Sequence, residues 1–253
     1  MWAVVKQFIR NVAHRKGYRV GKYPSVAFQP FSVFDVCVLL LMRMKGEGLS
    51  FVQVGANDGH YGDSISKFAL NYPWRGILIE PQPIIFEKLR QNYATASDRM
   101  IFENIAITGA ETSELMLYRL RKVATKDAVH AASVVSSSAT TVAQQLGVGE
   151  SELEKFSVPC KTLDSLLSEH HWHQFDILMI DTEGLDQIVL QTLSLNLRQP
   201  LIVQFEHGHL SPAAINLAVS YLNDNGYQVL YGANQIDTIA VHKTYWAHVA
   251  TYQ

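Results

Sequence analysis

A short turn between residues 51 and 63 carries residue types suited to ligand binding. The stretch FVQVGANDGHYGD is an apolar run that leads into a glycine-containing turn with two polar residues, Asn57 and Asp58. A dinucleotide-binding turn needs glycine where Asn57 stands, so that the backbone can approach a pyrophosphate, and the carboxylate of Asp58 would repel that group. The ligand of this turn is therefore expected to lack phosphate.

S-adenosylmethionine meets this condition at its methionine end. Its ammonium group matches the carboxylate of Asp58, and its carboxylate matches backbone N–H groups at the start of a helix. Gly55 and Asn57 belong to the same predicted cofactor-binding turn. The sequence thus predicts a methionine-binding turn directly after the first strand.

The ends of the next two predicted strands match the rest of this cofactor. Glu80 follows Gly55 by 25 positions, where an acid accepts hydrogen bonds from both ribose hydroxyls. Asn104 and Ile105 follow the third strand, where an amide and a flat apolar side chain can frame an adenine. NAD carries the same ribose, so Glu80 supports either cofactor, and the turn decides between them.

Two later strand ends carry the polar groups expected to do chemistry. Asp181 and Glu183 follow one strand, and Glu206, His207 and His209 follow the next. Because adjacent parallel strands end at the same edge of a sheet, we expect these side chains to share one crevice. An alternative for Asp181 and Glu183 is that they only cap the helix that follows.

These residues allow two ways of activating a hydroxyl group, whose pKa lies far above neutral. His207 can act as a general base, with Asp181 and Glu206 beside it. Alternatively, Asp181, Glu183 and Glu206 can bind Mg²⁺ or another hard cation through their carboxylate oxygens. The predicted catalytic residues are Asp181, Glu206 and His207, and both schemes need Asp181 and His207.

The pattern that must position these residues begins near residue 50. Apolar strand-like runs alternate with helical patterns, which is the signature of a mostly parallel sheet with helices on both faces. The predicted strands are 50–54, 76–79, 100–105, 176–180 and 201–205, closed by an antiparallel pair at 226–230 and 238–241. Helical periodicity falls at 83–93 and 185–193. The irregular stretch 119–141 is predicted to be a lid or, alternatively, a disordered insert.

Composition and charge narrow the class of protein. The chain has 253 residues, with 21 Lys and Arg against 23 Asp and Glu, so no basic field for nucleic acid is expected. Two distant cysteines do not indicate a disulfide framework, and no apolar run has the length of a membrane span. A cytoplasmic protein is expected.

The first 22 residues differ from the rest in charge. They contain six basic residues and no acidic one, with apolar residues at near-helical spacing. One interpretation is a basic amphipathic helix on an anionic membrane surface or a lipid-linked acceptor, and the other is an ordinary packing helix. A second helix is predicted at 34–44, docked on the edge of the sheet.

Taken together, the motifs resemble those of the FkbM-type S-adenosylmethionine-dependent methyltransferases. The stretches that carry the resemblance are FVQVGANDG, IEPQP, ENIAI, VPCKTLDSLL, DILMIDTEGLD and FEH, within about residues 50 to 243. The resemblance implies the class I methyltransferase fold, a Rossmann-like α/β domain with a mostly parallel seven-stranded sheet. It also implies methyl transfer to a hydroxyl group, often of a sugar in a glycan, glycolipid or natural product.

The sequence therefore predicts a helical extension over residues 1–48 and a methyltransferase domain over residues 49–253. The acceptor is expected to be a carbohydrate or a lipid-linked hydroxyl compound. The alternatives are a nicotinamide-dependent oxidoreductase and a non-catalytic binding module that keeps the cofactor fold. The metal-dependent O-methyltransferases show a related pattern of acids, but with Asn where His207 follows Glu206 here.

Overall fold

The computed structural model describes residues 32–60, 62–110, 112, 114–121, 136, 138–231 and 236–245. The predicted basic amphipathic segment at residues 1–22 lies outside these residues, as does most of the predicted lid. The proposed boundary at residue 48 stays a prediction.

The described chain forms ten strands in two sheets. In chain order they are β1 Ser50–Val54, β2 Arg75–Ile79, β3 Met100–Glu103, β4 Ala106–Ile107, β5 Glu114–Leu120, β6 Leu153–Lys161, β7 Ile177–Ile180, β8 Ile202–Glu206, β9 Tyr227–Tyr231 and β10 Asp237–His242. The large sheet has seven strands in the order β3-β2-β1-β7-β8-β10-β9, and only its last strand pairs, β8 with β10 and β10 with β9, are antiparallel. The predicted mostly parallel seven-stranded sheet is confirmed.

Helices connect the parallel strands. The α-helices are Val33–Lys45, Ser66–Ala69, Pro83–Asn92, Ala139–Leu146, Leu163–Glu169, Asp186–Gln191 and Pro212–Asp224, with 3₁₀ turns at Ala94–Arg99 and Glu150–Glu152. Several begin at a side-chain cap, as at Ser32, whose hydroxyl accepts from the N–H of Asp35 while the Asp35 carboxylate accepts from the N–H of Ser32. Among the described residues, none of the helices is both long and apolar enough to cross a bilayer.

The large sheet is buried on both faces, which is why its parallel strands read as continuous apolar runs. One apolar cluster includes Phe51, Leu78 and Ile202, and the cluster on the other face includes Val52 and Val203. The helix Val33–Lys45 packs within the first cluster. It therefore covers a face of the sheet, and the prediction that it docks on the sheet edge is wrong.

The strand order reverses at β1, which pairs with β2 on one side and with β7 on the other. Chains that leave these strands diverge to opposite sides, so a crevice opens at their carboxyl ends. The fold therefore places a ligand crevice directly after Val54, at the turn that the sequence had indicated.

A second sheet, which the sequence analysis did not predict, consists of β4, β6 and β5 in that order. β5 and β6 pair antiparallel, from Glu114 opposite Pro159 to Leu120 opposite Leu153. Part of the stretch expected to be irregular, Arg119 and Leu120, is thus strand. This small sheet stands beside the crevice and supplies part of its wall.

Candidate active site

A cavity of about 510 Å³ opens at the carboxyl ends of β1, β2, β7 and β8. Its size lies within the range of small-molecule sites. Apolar walls come from Ile79, Ile105 and Ile107, and from Leu115 and Leu117 of the second sheet. The cavity is therefore enclosed by both sheets.

The turn after β1 is held against its two neighbouring strands by backbone contacts. The N–H groups of Gly55 and Ala56 both donate to the carbonyl of Ile79 at 2.9 Å, and the N–H of Asp181 donates to the carbonyl of Val54 at 2.9 Å. Gly55 has φ +78°, and a Cβ atom there would lie 1.7 Å from the carbonyl oxygen of Asp181. Only glycine fits, because the chain ends of β1 and β7 touch at this point.

Glu80 lines the cavity and is tied to the cofactor turn. Its Oε2 accepts from the N–H of Asn57 at 3.0 Å and its Oε1 accepts from the N–H of Gln82 at 2.8 Å. Burial, with a smaller contribution from the charges of Asp181 and Asp58, raises the pKa of Glu80 to about 7. Each oxygen keeps a free lone pair, so the carboxylate can still accept from two hydroxyls.

Asn104 and Ile105 have different surroundings. The Nδ2 of Asn104 donates to the carbonyls of Glu80 at 2.8 Å and Pro81 at 3.1 Å, so the amide fixes the chain that leaves β2. Ile105 lines the cavity. The structure thus places Ile105 at the cavity wall and gives Asn104 a supporting contact, and the adenine-binding role of both stays a prediction.

Asp58, predicted to meet the ammonium group, is buried and turned into its own loop. Its Oδ1 accepts from the N–H of His60 at 2.9 Å, and its carbonyl accepts from the side chain of Asn92 at 2.8 Å. The acid of this loop that lines the cavity is Asp63, which the sequence analysis did not select. Burial raises the pKa of Asp63. The role assigned to Asp58 stays a prediction, and Asp63 is a second candidate for it.

These residues fit S-adenosylmethionine. The cavity offers apolar surface at Ile105 for a flat base, the carboxylate of Glu80 for ribose hydroxyls, and an acid at Asp63 for an ammonium group. It also contains buried acceptor atoms without a partner among the described residues, including the Oε1 of Gln53. Bound S-adenosylmethionine would supply a methyl group on a positively charged sulfur.

Acidic side chains concentrate at the ends of β7, β8 and β10. Asp181, Glu183, Glu206 and Asp237 all line the cavity. Burial raises the pKa values of Asp181 and Glu206, and neighbouring carboxylates raise them further. The predicted convergence of Asp181, Glu183 and Glu206 in one crevice is confirmed.

The buried carboxylate of Asp186 holds the backbone that carries this cluster. Sequence analysis did not identify this residue. Its fully buried carboxylate accepts from the hydroxyl of Thr182 at 3.0 Å and from the N–H groups of Gly184 at 3.3 Å and Glu206 at 3.2 Å. Glu183, between the first two of these donors, has φ +54°, a backbone conformation that non-glycine residues rarely adopt. One carboxylate thus links the turn after β7 to the end of β8.

The two histidines after β8 point to different places. His207 donates its backbone N–H to the carbonyl of Ile236 at 2.7 Å, and its Nδ1 lies 2.9 Å from the hydroxyl of Thr238. His209 lines the cavity, with its Nε2 3.2 Å from Glu183 Oε2 and 3.8 Å from Glu206 Oε1. The catalytic role of His207 stays a prediction, whereas His209 is the histidine beside the acids.

A group that could hold a metal ion is present, but it differs from the predicted one. Glu183, Glu206 and His209 each offer one ligand atom, and these atoms lie within 4.8 Å of one another. Asp181, the third predicted metal ligand, is not in this group. His209 takes its place.

Comparisons with known proteins bear on the same region. The sequence matches the family model of the Methyltransferase FkbM domain over residues 53–229. No curated protein matches the chain.

Solved structures with a similar fold include three methyltransferases. The methyltransferase FkbM from Methylobacillus flagellatus KT is 11% identical, with a TM-score of 0.49, and the match covers 78% of this chain and 44% of that one. The O-methyltransferase from Bacillus cereus in complex with SAH is 11% identical, with a TM-score of 0.43 and coverage of 94% and 90%. The precorrin-6y C5,15-methyltransferase from Geobacter metallireducens GS-15 is 14% identical, with a TM-score of 0.42 and coverage of 87% and 92%. This chain thus spans less than half the length of the first of the three.

Proposed function

The chain belongs to the FkbM methyltransferase family, and from this premise we propose that it transfers the methyl group of S-adenosylmethionine to a hydroxyl group of a sugar. The observation that carries the proposal is the position of Glu80 and the acids Asp181 and Glu206 around one cavity. Glu80 lies on the cofactor side, beside the turn after β1. The two acids lie on the other side of that turn, where an acceptor would meet the cofactor.

The acidic lining of the cavity disfavours an anionic acceptor, even though Glu80, Asp181 and Glu206 have raised pKa values. One histidine and six carboxyl groups line its described part. The acids are Asp63, Glu80, Asp181, Glu183, Glu206 and Asp237. A phosphate or carboxylate acceptor would be repelled by this field. A hydroxyl group is neutral and is not repelled. A nearby carboxylate would also assist its methylation by accepting the hydroxyl proton. The family resemblance, which often involves sugar acceptors, supports the choice of a sugar.

The chain's own residues account for the proton. Methyl transfer from bound S-adenosylmethionine would require the acceptor hydroxyl to lose its proton, and a residue of this chain must accept that proton. The hydroxyl proton passes to the carboxylate of Asp181, whose side chain faces the cavity. Glu80 and the turn at Gly55 hold the cofactor in place, and this alignment lowers the barrier by several kcal/mol, on the order of 7 or more in well-oriented systems.

The nicotinamide-dependent alternative loses its support. The side chain of Asn57 occupies the turn, where its Oδ1 accepts from the N–H of Asp58 at 2.8 Å. A pyrophosphate needs that N–H and the space above it. Membership in a methyltransferase family agrees with this reading.

The acceptor can be found with a deuterated methyl donor. Glycan and lipid extracts from cells that lack the gene are incubated with the purified full chain and S-adenosylmethionine labelled with CD₃. Mass spectrometry should show a labelled methyl group on a sugar-containing compound, and the Asp181→Asn variant should label it far more slowly. Label on an amine, or on a carboxylate, would refute the hydroxyl assignment. No label in any extract, despite binding of S-adenosylhomocysteine, would favour a binding module.

A further inference from the structure

We propose that Glu183, Glu206 and His209 form a divalent-cation site with open positions toward the acceptor, selective for Zn²⁺ or Mn²⁺ over Mg²⁺. The inference rests on the proposed function, because it assigns the cation a place beside the acceptor hydroxyl. The hard-cation site predicted from sequence used Asp181 as third ligand. The geometry replaces that carboxylate with an imidazole.

The distances among the three side chains suit one shared ion. His209 Nε2 lies 3.2 Å from Glu183 Oε2 and 3.8 Å from Glu206 Oε1. Two atoms bonded to the same ion at about 2.1 Å lie about 3 to 4.2 Å apart, depending on the angle between them. Both separations from His209 fall in this interval, and the ligand atoms of Glu183 and Glu206 lie within 4.8 Å of each other. Three ligands on one side of an ion also leave positions open on the other, which is the arrangement of catalytic metal sites.

Buried acceptors beside the group indicate a missing partner. Glu206 Oε2 and Gln204 Oε1 are buried and receive no hydrogen bond from a donor among the described residues. The carboxyl group of Asp181 interacts with that of Glu206, so this pair of acids needs a shared proton or a cation between them. Gln204 is 7% exposed, lines the same cavity, and lies two residues before Glu206 on the same face of β8. Buried oxygens of this kind are costly unless something pairs with them. A cation with its bound water would supply that partner.

The supporting contacts hold the ligands in place. Asp186 accepts from the backbone N–H groups of Thr182 and Gly184, on either side of Glu183, and from the N–H of Glu206, so it ties together the backbone that carries two of the ligands. Side-chain exposure is 46% for His209 and 39% for Glu183, against 14% for Glu206. The ion would therefore be reachable from the cavity and anchored at its inner side.

The imidazole decides which ions are preferred. Mg²⁺ favours oxygen ligands and an octahedral shell, whereas imidazole nitrogen suits Zn²⁺ and other transition ions, with carboxylates extending the range to Mn²⁺. A set of two carboxylates and one imidazole therefore favours Zn²⁺ or Mn²⁺. Such an ion lowers the pKa of a bound hydroxyl and orients it as well.

The test measures metal binding itself. The full chain is stripped with EDTA, dialysed and titrated calorimetrically with Zn²⁺, Mn²⁺ and Mg²⁺. We expect one ion for each chain, and Mg²⁺ binding weaker than that of the other two. The variants Glu206→Gln and His209→Ala should each lose about tenfold or more in affinity, in the range seen for perturbed metal sites. His207→Ala removes a neighbouring histidine outside the group and should keep the wild-type affinity.

Each alternative result overturns the proposal. These are no binding by the wild-type chain, equal losses for His207→Ala and His209→Ala, or a preference for Mg²⁺. Absorption spectra of the Co²⁺-loaded protein report the ligands of the ion independently of affinity. His209→Ala should change the spectrum, and His207→Ala should leave it unchanged. Binding of S-adenosylhomocysteine is measured in the same samples. If S-adenosylhomocysteine binding and methyl transfer both persist in EDTA, the proposed metal site is rejected and the proposed methyltransferase function is retained.

Discussion

The carboxylate of Asp186 accepts a hydrogen bond from the backbone N–H of Glu206 at 3.2 Å, and this contact joins the turn after β7 to the end of β8. The same carboxylate also accepts from Thr182 and Gly184. Asp186 is not among the residues that line the described part of the cavity. Glu183 and Glu206 do line it, and their position depends on Asp186. Its role is therefore to position other residues, which can be tested separately from catalysis.

Asp186→Asn should lower the free energy of unfolding by about 1 to 3 kcal/mol, because an amide cannot replace all the acceptor sites of the buried carboxylate. Urea denaturation monitored by circular dichroism measures the change. Asp224→Asn, an exposed acid at the end of the helix Pro212–Asp224, should stay within about 0.5 kcal/mol of wild type. Equal stability of the two variants would show that the Asp186 contacts contribute little.

Glu80→Ala should weaken binding of S-adenosylhomocysteine strongly. Each lost hydrogen bond between the carboxylate and a ribose hydroxyl is expected to contribute about 1.5 to 3 kcal/mol, or about tenfold or more in affinity. Calorimetry measures the affinity. Glu87→Ala, on the exposed face of the helix Pro83–Asn92, is the matched control and should bind like wild type. Unchanged affinity in Glu80→Ala would remove Glu80 from the cofactor site.

The raised pKa of Glu80 predicts a pH-dependent stability. Because its pKa rises from 4.5 to about 7 on folding, the folded protein holds a proton between these values that the unfolded chain has released. Stability contributed by this carboxyl therefore falls as the pH rises from about 4.5 to about 7, and it is constant above. The change corresponds to about 3 kcal/mol, at about 1.4 kcal/mol for each pKa unit.

The Glu80→Gln variant isolates this effect, since it cannot titrate. Its stability relative to wild type should increase between pH 5 and pH 8, whatever its absolute value. Denaturant melts at four pH values across this interval measure the difference. A difference that does not change with pH would mean that Glu80 keeps its ordinary pKa in the folded protein.

Gly55→Ala should fail to fold or lose more than about 4 kcal/mol of stability, because its Cβ would lie 1.7 Å from the carbonyl oxygen of Asp181. Gly62→Ala is the control. Gly62 also has a positive φ, of +68°, but a Cβ there meets no atom of the described residues within 4 Å. That substitution should cost only the backbone strain, about 1 to 2 kcal/mol. Thermal unfolding of both variants decides the point, and similar losses would show that strain, not the close approach, makes glycine necessary.

Much of the fold could be predicted from sequence because its signals are local. The apolar run of β1 is strand over the predicted residues 50–54, and the later predicted strands differ from the observed ones only near their ends. The second sheet was missed because it depends on distant pairing, as between Leu117 and Phe156. Its strands are partly exposed and include Pro159, so neither periodicity nor composition marks them clearly.

The sequence by itself determined the switch-point turn, the acid at residue 80 and the gathering of Asp181, Glu183 and Glu206, because parallel strands bring their carboxyl ends to one edge of a sheet. Only the tertiary structure decided which neighbouring side chain faces the cavity. His209 rather than His207 lies beside the acids, since the backbone of His207 is held by Ile236, from a distant part of the chain. Beyond the end of a strand the alternation of side chains stops, and contacts with remote residues set their direction.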